Sequence, residues 1–448
     1  MTEPLDHLTD ALLTAARKAG ADTADAIAVQ NRAVSIDVRL GKLEQAERSE
    51  GTDIGLRVIL GKRQACVASS LLTADTIAEM AERAVAMARE APEDPGVGLA
   101  DPAQLATNLD TAPLDMIDPA PEPDPAELEA AARTAEAAAL AVAGISQVES
   151  SGAQFAGRRV HLATTTGFSA GYARTDNGIF TAAITGEGTE MEVDYHSEVR
   201  TYRADLPDPA QIGRIAAERT LARAGARKPK TGAYPVLYDE RISSSLISHL
   251  TAAMGGTAIV RGASWLREAM GEQVLPKGMS LSKEPHRPRT SGSRLFDAEG
   301  LPTTPMDIVE DGVLKSWTMD LSTARHLGLN STGDAARNTS APPQPMLFNL
   351  SLTQGTQTRA NLLAEMGTGL LVTSMIGSTI NPTTGDYSRG AAGYWVENGE
   401  LAYPVNECTI AGNLRDMLMT LRAANDARPH LSRRVPSLLV EGMTLAGD

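Results

Sequence analysis

The chain has 448 residues, 42% of them hydrophobic but only 4% aromatic, so two or three domains with aliphatic, alanine-rich cores are expected. Its formal charge is −15 at pH 7, and its densest basic runs are the pairs Arg158-Arg159 and Arg433-Arg434; neither is long enough to track a phosphate backbone, which disfavours direct nucleic-acid binding. Two distant cysteines, Cys66 and Cys408, exclude a disulfide framework. No apolar run of about 18 residues is available to span a membrane, and the first residues lack a charged segment leading into an apolar one, so a soluble cytoplasmic protein is expected.

In chain order, the first element reads as a helix. Leu5, Leu8, Leu12 and Leu13 share one stripe and Gly20 is the stop. Val34, Ile36, Val38 and Leu40 then alternate with polar residues, the pattern of a strand with one wet face, and Gly41 ends the run. Short strands follow through 54–60 and 64–69. A second helix begins near Asp75, a good N-cap, with Ile77, Met80, Ala81 and Ala84 on its apolar face. Eight prolines from Pro92 to Pro125 then punctuate an acidic stretch without periodicity, which reads as a linker or a long surface crossing.

The pattern then recurs. An alanine-rich helix over about 125–143 precedes strands through roughly 146–200, and another helix follows Asp208-Pro209. After Lys228-Pro229-Lys230 come a strand over 234–238 and a helix from about Glu240 to Met254. Beyond it the pattern is mostly β. Asp311-Gly312 and Asn398-Gly399 sit between apolar runs as tight hairpin turns. The expected fold class is α+β. Two helix–strands–helix units (1–92 and 125–227), an internal duplication in layout, flank a Pro-rich linker (93–124). A β-rich C-terminal domain with one leading helix (228–448) follows.

A catalytic zinc needs three protein ligands and an open position, commonly a His-Glu pair with a second His a turn later. None of the seven histidines precedes a glutamate, and the closest pair, His161 and His196, lies 35 positions apart. No Gly-x-Ser-x-Gly elbow or phosphate-binding Gly-rich loop is present. Cys66 and Cys408 read as small buried hydrophobes. Two segments are denser than the rest. One is the helix holding Ser248, His249 and Ala253, which runs into Gly255-Gly256; its plain reading is a core or interface histidine. The other runs from Thr384 to Glu400 and sets Asp386 and Arg389 three apart in a Gly-rich turn. That pair reads either as a structural Asp–Arg contact or as a clamp for a peptide backbone or carboxylate.

At these segments the sequence resembles the TldD/PmbA family, and more closely its TldE (PmbA) branch. The matching motifs include Ser331-Thr332-Gly333, Met366-Gly367-Thr368-Gly369-Leu370, Gly385-Asp386-Tyr387-Ser388-Arg389-Gly390-Ala391-Ala392-Gly393, Val396-Glu397-Asn398-Gly399-Glu400, Tyr403-Pro404-Val405 and Ile410-Ala411-Gly412-Asn413-Leu414. They cover the last third densely; the earlier regions match in layout. The resemblance implies a two-subunit metalloprotease in which a TldD-like partner carries His-Glu-x-x-x-His and zinc. At the matching helix this chain has Ser248, His249 and Ala253, so it is expected to hold no metal and to have no catalytic residues of its own. Expected partners are the TldD-like subunit in a heterodimer and unfolded or precursor peptides, with self-association when the partner is absent. The alternative is a non-proteolytic regulator, in line with the family's other name, modulator of DNA gyrase.

Overall fold

The computed structural model describes residues 4–448. Met1, Thr2 and Glu3, part of the stretch read for a targeting signal, lie outside the described residues. Helix α1 (Leu5–Ala19) buries Leu5, Leu8, Leu12 and Leu13, and Gly20 ends it with φ of 97°, a left-handed cap that costs glycine least. Strands β1 (Thr23–Arg39), β2 (Lys42–Leu60) and β3 (Arg63–Ser69) follow, then α2 (Ala74–Glu90). The α2 cap is Thr73, whose hydroxyl accepts the Thr76 N–H at 3.2 Å. Asp75, expected as the cap, falls in the first turn instead, where a carboxylate still favours the helix dipole.

The second unit repeats the order with α3 (Pro125–Leu140), β4 (Ile145–Thr164), β5 (Ser169–Thr185), β6 (Glu192–Arg200) and α4 (Pro209–Leu221). The two units share a single sheet of order β3-β2-β1-β4-β5-β6. Its centre is the antiparallel β1–β4 pair, with Asp25 opposite Thr164 and Val38 opposite Ser151. All four helices lie on one face. The first two cover Ala24, Ala26, Ala28, Ile54, Leu56 and Val58; α3 and α4 cover Val34, Ile36, Val38, Ala153 and Ile179. The alternate side chains Ile27, Val29, Val160 and Leu162 turn to the other face and meet Phe296 from the C-terminal domain.

Residues 91–124 cross between the units as a strap packed on both layers. Val97, Ala100, Ala106, Leu114 and Met116 are buried. Arg325 donates to the carbonyls of Gly96, Gly98 and Leu99, and the Ala106 N–H reaches the Gly300 carbonyl at 2.9 Å.

The C-terminal domain begins with β7 (Gly232–Tyr238), α5 (Glu240–Ala253) and α6 (Gly256–Val260). Next come β8 (Leu281–Lys283), β9 (Met306–Glu310), β10 (Val313–Leu314), α7 (Leu321–Leu327), β11 (Ala335–Ala336), β12 (Gln344–Pro345), β13 (Leu350–Leu352) and α8 (Arg359–Met366). The chain closes with β14 (Gly369–Ile380), β15 (Asp386–Glu397), β16 (Glu400–Asn413), α9 (Leu414–Met419), β17 (Arg422–Ala423), β18 (Arg433–Arg434) and β19 (Leu438–Ala446). One sheet has the order β16-β15-β14-β7-β19-β17, and an added β16–β19 pairing closes its first five strands into a ring; a smaller sheet has the order β10-β9-β8-β13-β18. The two share one core, in which α5 buries Leu246, Ile247 and Leu250. Both expected hairpin turns are present, with positive φ at Asp311-Gly312 and Asn398-Gly399. Among the described residues no helix is long and apolar enough to cross a membrane.

Candidate functional site

Helix α5 starts where β7 ends. Asp239 caps it by accepting the Arg241 N–H at 3.1 Å, and the stripe Leu246, Ile247, Leu250 fixes which side faces the core. That rotation places His249 half in, edge-on to the buried Tyr387 of β15, with ring centroids 5.7 Å apart. Its Nε2 is buried and has no hydrogen-bond partner among the described residues. Burial, reinforced by the positive charge of Arg389, pushes the imidazole below its ordinary value, so His249 is neutral at pH 7. Behind it the Tyr238 hydroxyl lies 3.3 Å from that of Tyr387, and burial pushes both phenols up.

The donor set beside His249 does not suit zinc. The Ser248 hydroxyl donates to the Ser244 carbonyl at 2.8 Å and accepts from the Arg433 guanidinium, a fixed cation where a dication would have to sit. Ala253 is buried and offers no lone pair. Cys408 is buried too; its Sγ donates to the Ala391 carbonyl at 3.2 Å, and burial pushes the thiol up to about 11, far from the thiolate that binds metal. Among the described residues no three His, Cys, Asp or Glu side chains gather as metal ligands. What remains at α5 is a neutral imidazole edge-on to a phenol with a guanidinium nearby, and no metal-ligand set among the described residues.

Asp386 and Arg389 do not form one site. From Asp386 onward the segment is the strand β15, and residues three apart on a strand face opposite ways. Asp386 is exposed; its carboxylate accepts from the Thr384 hydroxyl at 2.6 Å and the Asn413 amide at 3.0 Å, and these bonds hold it below the usual carboxylate value. Arg389 shares the Tyr387 side of the strand, and its Nε donates to the Gly377 carbonyl at 2.7 Å.

Two charged clusters between the domains have no signature in the sequence, because their members come from distant segments. In one, Asp25 of β1 is buried against Arg57 of β2 and Arg337 of the C-terminal domain; burial would raise its carboxyl, and the two guanidiniums outweigh that and hold it low. In the other, Glu198 of β6 meets Arg200 at 2.5 Å, His430 at 3.3 Å, and Arg428 and His196 at 3.6 Å each. Burial opposes ionisation of Glu198, yet bonds from His430 and Arg200 hold it at about 2. Burial, aided by the charge of Arg219, pushes His196 down to about 4.

Comparison with known proteins covers nearly the whole chain. Residues 24–88, 118–224 and 231–447 match the models of PmbA/TldA metallopeptidase domain 1, central domain and C-terminal domain. Metalloprotease PmbA of Escherichia coli O157:H7 is 34% identical, over 98% of this chain and 96% of the relative. A PmbA homologue of Haemophilus influenzae is 33% identical, over 97% and 94%. A solved structure from Bacteroides thetaiotaomicron VPI-5482, named for modulation of DNA gyrase, superposes with a TM-score of 0.89 at 26% identity, covering 99% of this chain and 98% of that one. TldE from Thermococcus kodakarensis shares the fold, with a TM-score of 0.85 at 19% identity and coverage of 98% and 99%.

Proposed function

The chain belongs to the PmbA/TldD family, and on that premise we propose that it is the subunit without a catalytic metal in a two-subunit metalloprotease acting on unfolded or precursor peptides. The observation that carries this reading is the make-up of α5. Of its three metal-motif positions, one is a serine already bonded to Arg433, one is alanine, and the single imidazole has no carboxylate or thiolate beside it. Zinc, the nucleophilic water and the general base would come from a TldD-like partner. This chain would supply walls of a shared chamber and sheet edges on which an extended peptide can add as a strand.

The N-terminal sheet has such edges. Among the described residues strand β3 pairs only with residues 54–60 of β2, and the exposed stretch from Lys42 to Gly51 has no strand on its other edge. At the opposite side β6 pairs with β5 alone among the described residues, with Tyr195 exposed on it, although α4 already bonds its backbone at Asp194 and Tyr195.

The test is peptide hydrolysis. Purified chain, given zinc and casein, should stay at background, while mixing with a TldD-type subunit should give turnover that a chelator abolishes. Chelator-sensitive turnover by this chain alone, at the rate of the mixture, would refute the proposal. The second reading, a regulator without proteolysis, draws on the gyrase name of the Bacteroides relative. It requires a stable target complex that forms without any TldD-like subunit, which co-purification from native cells would detect.

A further inference from the structure

The helix-free face of the N-terminal sheet meets the C-terminal domain around a cavity of about 280 Å³, just under the roughly 300 Å³ at which drug-sized pockets begin and so suited to a small group such as a peptide end. Arg158, Arg174, Arg294 and Arg337 all line it, against one acidic lining residue, Asp297. The Asp297 oxygens are already taken by the backbone N–H groups of Glu299, Leu301 and Ala335. Arg174 is partly engaged: one terminal nitrogen bonds the Ser291 carbonyl, and its Nε, without a hydrogen-bond partner among the described residues, pairs by charge with Asp176 at 3.3 Å.

Among the described residues Arg294 and Arg337 have no carboxylate in the cavity to pair with and keep bonding capacity. The Arg337 side chain is 0% exposed; one of its terminal nitrogens binds Asp25, and the other, Nη2, has no partner among the described residues. Unfilled buried donors are rare and costly. Arg294 has no ion pair among the described residues; its guanidinium lies over the Phe348 ring, 3.4 Å from the centroid. Burial pushes it below the usual arginine value, a penalty that a bound anion would relieve. Part of the remaining wall is apolar, with Ile27, Leu162 and Phe296 side by side.

We propose that this cavity binds the free C-terminal carboxylate of a short peptide whose last side chain is apolar. The carboxylate bridges Arg294 and the open Nη2 of Arg337, since guanidinium donors match carboxylate geometry, and the last side chain rests on Ile27, Leu162 and Phe296. The exposed Arg158 stands at the rim and draws the chain end in. The proposal rests on the peptide-processing reading above and deepens it: the metal-free subunit recognises a chain end that the partner's chemistry consumes or creates.

The test uses fluorescence anisotropy on the isolated full-length chain with fluorescein-labelled Ala-Ala-Leu, as the free acid and as the C-terminal amide, and with an amide-capped peptide ending in Glu. The free acid should bind at least tenfold tighter than either amide. Arg294→Gln should bring acid and amide within about twofold. Arg158→Gln, a change at an exposed position with little effect on stability, should weaken the acid alone by about two- to threefold. Equal binding of acid and amide overturns the proposal, and so does equal binding of the Glu-bearing amide, which would make the cavity a site for acidic side chains. The partner-free assay also separates the two readings: loss of acid–amide discrimination sinks only this inference, whereas cleavage of the peptide by the isolated chain sinks the subunit role.

Discussion

His249 is the one imidazole at the three metal-motif positions of α5. A polar atom buried without a partner contributes nothing favourable to folding, so His249→Leu should leave stability within about 1 kcal/mol, measured by urea unfolding. The reconstituted complex carrying it should hydrolyse casein within about twofold of wild type. A fall of a hundredfold or more would make His249 a working base and remove the division of labour. His196 gives a pH prediction. Its folded value of about 4 lies below the ordinary 6.5, so on acidification the unfolded chain takes up the proton first. The stability this represents, at most about 3 kcal/mol, is present above pH 6.5 and is lost as pH falls from there to about 4. His196→Gln should flatten that part of the stability–pH curve; an unchanged slope would show that other groups set it. Glu198 acts in the same direction lower down, between its ordinary 4.5 and about 2.

At the scale of elements, the packing of α3 on α4 depends on Gly213. A Cβ there would lie 1.9 Å from the Ala135 carbonyl oxygen, so the helices touch backbone to backbone. Gly213→Ala should force them apart at a cost of about 1–3 kcal/mol and lower the melting temperature by several degrees; an unaltered melting temperature would mean the contact is loose. The elements themselves were legible wherever local chemistry decides them. The stripe of Leu5, Leu8, Leu12 and Leu13, the stop at Gly20 and the Asn398-Gly399 turn all stand where the sequence placed them. The 384–393 segment was not, because its glycines suggested a turn. Gly390 and Gly393 instead lie in strand β15, where a Cβ on Gly393 would fall 1.9 Å from the Leu371 carbonyl oxygen. Close strand packing selects glycine there, and the resulting strand sends Asp386 and Arg389 to opposite sides.

At the scale of the molecule, the recurrence of helix–strands–helix was visible in the sequence, but the joining of both units through β1 and β4 into one sheet was not. Register between strands more than a hundred residues apart leaves no local trace. The same holds for the interface clusters: Asp25, Arg57 and Arg337 become one ion cluster only when the C-terminal domain docks on the sheet. Family resemblance located α5, and the geometry around it supplies the physical reason a metal is not expected there, Arg433 on the Ser248 hydroxyl and a lone neutral imidazole. The most direct test of that claim is anomalous scattering at the zinc absorption edge from crystals of the isolated chain soaked in excess zinc. No peak is expected within bonding distance of Ser248, His249 or Cys408. A well-occupied tetrahedral zinc held there by this polypeptide would contradict it.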